Sequence, residues 1–296
     1  MFDDPRLAAL AAVIRLGSFE AAAGALGITP SAVSQRIRQL EERLGTVLLI
    51  RSHPVRPTAP GLRLYRHFNE VSLLGQTLAE DLGARPAPHA GRAAVIPLAV
   101  NADSLATWFI SAMARVEGVD FEITIDDQDF SADWLRRGEV LGAVTSDGAP
   151  VQGCDLIALG RLRYIATASP EFAARWFAEG VTQAALTAAP ALIYSRKDRL
   201  QAAWAAREAG APVHLAGHLL PSSHGFVEAA RAGLGWGLNP EPLVRAHLEA
   251  GRLVAIGTDP VLEVPLFWQF NRVARKALSP LTRAVRAAAA EVLISG

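Results

Sequence analysis

Seven arginines gather between residues 36 and 66: Arg36, Arg38, Arg43, Arg51, Arg56, Arg63 and Arg66. Glu41 and Glu42 oppose them, so the stretch carries +5 in a chain of formal net charge zero. Guanidinium groups at this density suit phosphate, because each is permanently charged and offers a planar fork of donors to paired oxygens. A second concentration has the opposite sign. Residues 100–135 hold Asp103, Glu117, Asp120, Glu122, Asp126, Asp127, Asp129 and Asp133 against Arg115, a balance of −7. Two blocks of opposite charge in different parts of one chain point to two different partners. Solvated surface charge is the plain alternative, and local pattern must separate the two.

The arginines begin on ITPSAVSQRIRQLEERLG, residues 28–45. Val33, Ile37, Leu40 and Leu44 recur there at spacings of 4, 3 and 4, which predicts one apolar helical face. Thr29 or Ser31 can cap the start, with Pro30 near the first helical position, where its missing N–H is not needed. Upstream, Leu7, Leu10, Ala11 and Ile14 predict a helix over residues 4–16 that Gly17 closes, and Ser18 caps a short alanine-rich helix over Phe19–Leu26 before the turn at Gly27. Helix, helix, tight turn, helix with a polar outer face is a helix-turn-helix arrangement. Such a helix presents donors and acceptors to base edges in the major groove. Ser31, Ser34, Gln35 and Arg38 are the base-reading candidates, Gln35 suiting adenine and Arg38 guanine. The Thr29–Pro30–Ser31 start suits a backbone phosphate, Arg51 and Arg56 suit phosphate or the minor groove, and Arg36 is expected to point to phosphate or across the head. An ion pair between Arg38 and Glu42 would contribute only about 0.3–0.5 kcal/mol and leaves most of the cluster unmatched.

The segment LLIRSHPVRPTAPG, residues 48–61, has three prolines and suits a short two-stranded wing. From Gly61, Leu64, Phe68, Val71, Leu74, Leu78 and Leu82 form a near-heptad stripe with no core of its own, which a second copy of the chain would cover. GARPAPHAG, residues 83–91, reads as a hinge and domain boundary. Beyond it, apolar strand candidates (Ala94–Val100, Phe121–Ile125, Leu141–Thr145, Tyr164–Ala168, Ala191–Tyr194, Leu234–Leu238, Leu253–Ile256 and Val264–Phe270) alternate with helical stretches such as Leu105–Val116 and Leu200–Ala209. That alternation predicts open parallel-type sheets with helices on both faces.

Composition narrows the class. Hydrophobic residues make up 51% and charged residues 20%, an ordinary globular balance over 296 residues, long enough for two or three domains. The single cysteine, Cys154, excludes a disulfide framework and cysteine-based zinc fingers. No apolar run reaches 18 residues and no signal peptide is visible, so no membrane partner and a cytoplasmic location are expected. HExxH, GxSxG and P-loop patterns are absent. GLGWG, residues 233–237, lacks the following helix and acidic partner of a dinucleotide site and reads as a tight turn into a strand. No enzyme, metal site or cofactor is expected. A DNA-binding protein that works without a ligand, such as an origin binder, is the competing class; some 200 residues of cleft-forming sheet argue against it.

The run SFEAAAGALGITPSAVSQRIRQLEERLG, with Arg51 and Pro57-Thr58-Ala59-Pro60-Gly61, resembles the winged helix-turn-helix of LysR-type transcriptional regulators. The resemblance extends over the whole chain. It departs at Ile50, where phenylalanine is usual, and at Pro60. RSHPVRPTAPG, RHFNEVSLL, TIDDQDFSADWLRRGEVLGAVTSDGAPVQGCDLIALGRLRYIATASPEFAARWF and GLGWGLNPE look like the ArgP/LysG subgroup. The implied fold class is α/β, with an N-terminal all-α winged helix-turn-helix (1–60) and a linker dimerisation helix (61–85). A hinge (86–91) then leads to a two-lobed, periplasmic-binding-protein-like effector domain (92–296). Lobe I is expected over about 92–163 and 265–296, lobe II over about 164–264. The resemblance implies a homodimer or homotetramer on a dyad-symmetric promoter site in double-stranded DNA, with RNA polymerase as a further partner. It also implies an effector such as L-lysine or L-arginine and control of an amino-acid exporter. In open α/β domains ligands settle where strand ends meet helix starts. A free amino acid needs its carboxylate and its cations held. Ser104 and Ser223 suit the first, Asp103, Asp126 and Asp127 the second, with Asn101, Thr145 and Tyr164 as supporting polar contacts.

Overall fold

The computed structural model describes residues 4–82, 94–125 and 131–295. The described residues form two compact units, one holding residues 4–82, 94–96, 118–122 and 273–278, the other residues 97–117, 123–125, 131–272 and 279–295.

In the first unit α1 (Pro5–Leu16), α2 (Phe19–Leu26) and α3 (Pro30–Leu44) precede β1 (Leu49–Ile50), β2 (Arg56–Pro57) and α4 (Ala59–Asp81). The first three helices start on the side-chain caps Asp4, Ser18 and Thr29 and stop on the left-handed glycines Gly17, Gly27 and Gly45. Of the two candidate caps for α3, Thr29 takes the role: its Oγ1 accepts the Ala32 N–H at 3.2 Å. Val33, Ile37 and Leu40 are buried with Leu10, Val13, Ala22 and Leu48, each large aliphatic side chain contributing about 1.5–3 kcal/mol. Leu44, expected on the same face, lies in the last turn and is 47% exposed.

β1 and β2 pair antiparallel, Leu49 opposite Pro57 and Ile50 opposite Arg56, which forms the wing. The Val55 N–H donates to the Gly17 carbonyl at 2.8 Å and ties the wing to the α1–α2 turn. α4 starts two residues before Gly61, whose missing side chain admits the Leu48 carbonyl; a Cβ there would overlap it. On α4, Leu64, Phe68 and Val71 are half-buried, while Leu74 and Leu78, and Leu82 just past its end, are exposed. A second stripe the sequence did not suggest, Tyr65, Asn69 and Leu73, is buried on the same helix. The expected hinge lies outside the described residues.

Beyond it the chain runs β3 (Ala94–Val100), α5 (Ala102–Ser104), a π-helical turn (Leu105–Phe109), α6 (Ile110–Met113), β4 (Val119–Ile125), α7 (Ser131–Arg136), β5 (Gly142–Thr145) and β6 (Cys154–Ala168). There follow α8 (Pro170–Trp176), α9 (Gln183–Ala188), β7 (Ala191–Ile193), α10 (Leu200–Ala209), β8 (Gly217–Leu219) and α11 (Ser223–Arg231). β9 (Gly237–Pro240), α12 (Glu241–Glu249), β10 (Val254–Ala255), β11 (Val261–Asn271) and α13 (Ser279–Val292) complete it. The main sheet has the order β10-β6-β11-β5-β3-β4, with β9 also on β6, and β7 pairs with β8.

This corrects the expected parallel-type sheets. β3–β5 and β7–β8 are parallel, but the spine is antiparallel, β11 running beside β6 from Val261 opposite Ile165 to Asn271 opposite Cys154. Apolar patterning marks strands but not their direction; β6, with 15 residues, reaches two cores through Cys154 and Ile165, and β11, with 11, pairs along it. One core gathers Leu135, Val140, Ala143 and Val151; the other gathers Leu192, Phe226, Val227, Ala230, Val244 and Leu253. The strand expected at Tyr164–Ala168 extends back to Cys154, and Gly160, at φ 128° against the Ile294 carbonyl, breaks the apolar pattern of that added length.

Candidate functional site

The outer face of α3 is built by subtraction: once Val33, Ile37 and Leu40 turn inward, Ser31, Gln35 and Arg38 stand exposed and Ser34 and Arg36 half-buried. Glu41, a possible same-helix partner for arginine, is engaged elsewhere, its Oε1 accepting the Leu48 N–H at 2.8 Å. Pro30, Ser31 and Ser34 line a hollow with Ser18, Phe19 and Glu20 of α2 and with Arg51, Ser52, His53 and Val55 of the wing. The Arg51 guanidinium lies 5.9 Å from the centre of the Phe19 ring. Arg56 is exposed on β2. Pro30, Ser31, Ser34 and Arg51 thus line the hollow, while Thr29, Gln35, Arg36, Arg38 and Arg56 do not. The contribution of Ser18, Ser52 and His53 was not anticipated. Ser18 had a signal as a helix cap; the other two reach the hollow only through the wing's fold.

A second concavity lies within the other unit. Asn101, Ala102 and Asp103 line it from the β3–α5 junction, Tyr194, Asp198, Leu200 and Gln201 from the β7–α10 junction, and Ser223, Phe226, Leu238 and Pro240 from α11 and β9. Asn101 holds its corner by capping α5, its Oδ1 accepting the Ser104 N–H at 2.7 Å. Asp103 is the pivot. Its Oδ2 accepts the Tyr164 hydroxyl of β6 at 2.8 Å and its Oδ1 accepts the Ser223 hydroxyl of α11 at 2.6 Å. These two bonds orient the Asp103 carboxylate from β6 and from α11. Asp198 is fixed by backbone donors, the Tyr194 N–H at 3.0 Å and the Leu200 N–H at 2.9 Å. The Tyr194 and Phe226 rings, 6.4 Å apart, give an apolar wall. Two anchored carboxylates beside such a wall can hold a cation on an aliphatic stem.

Of the eight residues proposed from sequence, Asn101, Asp103 and Ser223 line this cleft and Tyr164 reaches Asp103. Ser104 is fully buried beside it, its hydroxyl without a hydrogen-bond partner. Thr145 lies elsewhere, donating to the Asp147 carbonyl at 3.0 Å and accepting from Gln269 at 3.2 Å. Asp126 and Asp127 lie outside the described residues. Tyr194, Asp198 and Gln201 were missed; an Asp three residues before a buried Gln at a helix start, after a short apolar strand, was the available signal. Among the described residues no group of three His, Cys, Asp or Glu could hold a metal ion.

Residues 5–62 match the model of the bacterial regulatory helix-turn-helix protein, lysR family, and residues 78–294 match the LysR substrate binding domain. The chain is 42% identical over 287 residues to the HTH-type transcriptional regulator LysG of Mycobacterium bovis, covering 97% of this chain and 93% of that protein. The crystal structure of ArgP from Mycobacterium tuberculosis is 41% identical, covers 99% of both chains and superposes with a TM-score of 0.76. Full-length LysG from Corynebacterium glutamicum with bound effector Arg is 35% identical, with 98% of this chain and 99% of that one covered and a TM-score of 0.63. On this evidence the chain belongs to the LysR family of bacterial helix-turn-helix regulators.

Proposed function

We propose that this protein regulates transcription by binding duplex DNA through residues 1–60 and by sensing a basic amino acid, lysine or arginine, in the cleft of residues 92–296. The cleft chemistry carries the sensing half: Asp103, oriented by Tyr164 and Ser223, faces a cavity that Asp198 also lines. The arginine held by the Corynebacterium glutamicum relative agrees with that chemistry. Asp103 takes a ligand ammonium, with Asn101 and Tyr164 supporting, and the start of α11 at Ser223 suits the carboxylate through its helix N-terminus. Thr29, Pro30, Ser31, Ser34, Gln35, Arg36, Arg38, Arg51 and Arg56 meet the DNA.

Residues 61–85 pair two copies along the exposed Leu74, Leu78 and Leu82, and a homodimer or homotetramer then spans a dyad-symmetric promoter site. Control of an amino-acid exporter promoter, with RNA polymerase engaged there, fits this role. So does a cytoplasmic location and a regulatory rather than catalytic activity; no described helix is long and apolar enough to cross a membrane. Calorimetric titration of the full chain tests the sensing half. Heat with L-arginine or L-lysine and none with L-glutamate is expected, and the reverse selectivity would refute it.

A further inference from the structure

Acceptors in the cleft are unequally used. Asn101 takes the Ser104 N–H, Asp103 takes two hydroxyls, and Asp198 takes two backbone N–H groups. Gln201 differs. It lines the cleft from the first turn of α10, is 3% exposed, and its Oε1 has no hydrogen-bond partner. Folded proteins keep few such atoms, because a buried acceptor without a donor has lost water and gained nothing in return. The oxygen itself is shielded, and a turn of the amide about the side chain brings it into the cavity that Gln201 borders, where a ligand's donor completes it. Asp198, three residues away and also lining the cleft, adds negative charge on the same side. The Tyr194 and Phe226 rings can flank a methylene stem leading there.

We propose that Gln201 is the specificity residue of this cleft: its side-chain oxygen accepts a hydrogen bond from the cationic end of the ligand's side chain. The inference rests on the effector reading above and deepens it. Asp103 meets the α-ammonium, which every amino acid carries, and so cannot select among them. Gln201 can, because a site built around a donor rejects an isostere lacking one by leaving its own polar group unpaired. A neutral amide accepts equally from an ammonium or a guanidinium, so lysine and arginine both fit while L-norleucine, the lysine isostere ending in methyl, is refused.

The test is calorimetric titration of the full chain with L-arginine, L-lysine and L-norleucine, for the wild type, Gln201→Leu and Gln201→Glu. The wild type binds the two basic amino acids at least tenfold more tightly than norleucine. Gln201→Leu loses about tenfold for both, which is about 1.4 kcal/mol, and gains on norleucine, whereas Gln201→Glu keeps the basic preference. Unchanged arginine and lysine affinities in Gln201→Leu, or an equal loss for all three ligands, overturn the role of Gln201 and leave the effector class standing. No heat from the wild type with either basic amino acid overturns both. Should circular dichroism show that Gln201→Leu does not fold, Gln201→Met removes the same acceptor with a more adaptable side chain, and the same outcomes decide.

Discussion

Arg38 stands exposed on α3, one residue past the buried Ile37, and this placement separates binding from stability. Arg38→Ala removes no core contact, so its melting temperature stays at the wild-type value, while affinity for a cognate duplex falls by about 1–3 kcal/mol in fluorescence anisotropy. Equal loss on a scrambled duplex would make Arg38 a phosphate contact instead. Leu40→Ala is the opposite case: 4% exposed, it destabilises by about 2–5 kcal/mol in urea titration, and a smaller loss would mean the head core tolerates collapse there. In the cleft, Asp103→Asn keeps the shape but not the charge, and a tenfold or greater loss of arginine affinity is expected by calorimetry; wild-type affinity would remove Asp103 from the site. Cys154 plays no part in this chemistry. Burial, then the neighbouring Asp155 charge, pushes its thiol above the usual range, so an alkylating reagent at neutral pH reacts slowly with the folded protein and faster after unfolding.

The helices of the head were legible because each carries its own punctuation. A capping side chain, an apolar 3–4 spacing and a terminal glycine sit within a dozen residues, and the boundaries of α2 need nothing beyond them. The cleft was legible only at Asn101, Asp103 and Ser223, where strand ends meet helix starts. Asp198 and Gln201 enter it through packing of β7 and α10 against distant β9, a placement no local pattern encodes. The length of β6 was hidden by Gly160, which breaks its apolar pattern, while β11 pairs on both sides of that break. On α4, Glu70 is half-buried and burial raises its carboxyl above the usual range. A raised folded value favours the neutral acid, so this contribution is present at acid pH and lost as pH rises through the folded value. Glu70→Gln therefore raises the melting temperature at pH 7 and leaves it unchanged near pH 4; a fall at pH 7 would mean that the charge has a favourable partner.

At the scale of the whole molecule, regulation requires that the helix-turn-helix region and the substrate-binding domain communicate. A ligand changes DNA binding only as far as it prefers one arrangement of the assembled copies over another, typically about 1–3 kcal/mol of coupling. Leu78→Glu places charge on the exposed α4 stripe and should convert the sedimenting species to a smaller one, with loss of dyad-site binding; unchanged sedimentation would move the interface elsewhere. The central claim, a DNA-gripping head commanded by a cleft for basic amino acids, is tested most directly by nuclease protection of the gene's own upstream duplex. Protection of two half-sites that shifts in extent when L-arginine or L-lysine is added, and not when L-glutamate is added, is the expected result. No protection at low salt, or a pattern that neither basic amino acid alters, would contradict it.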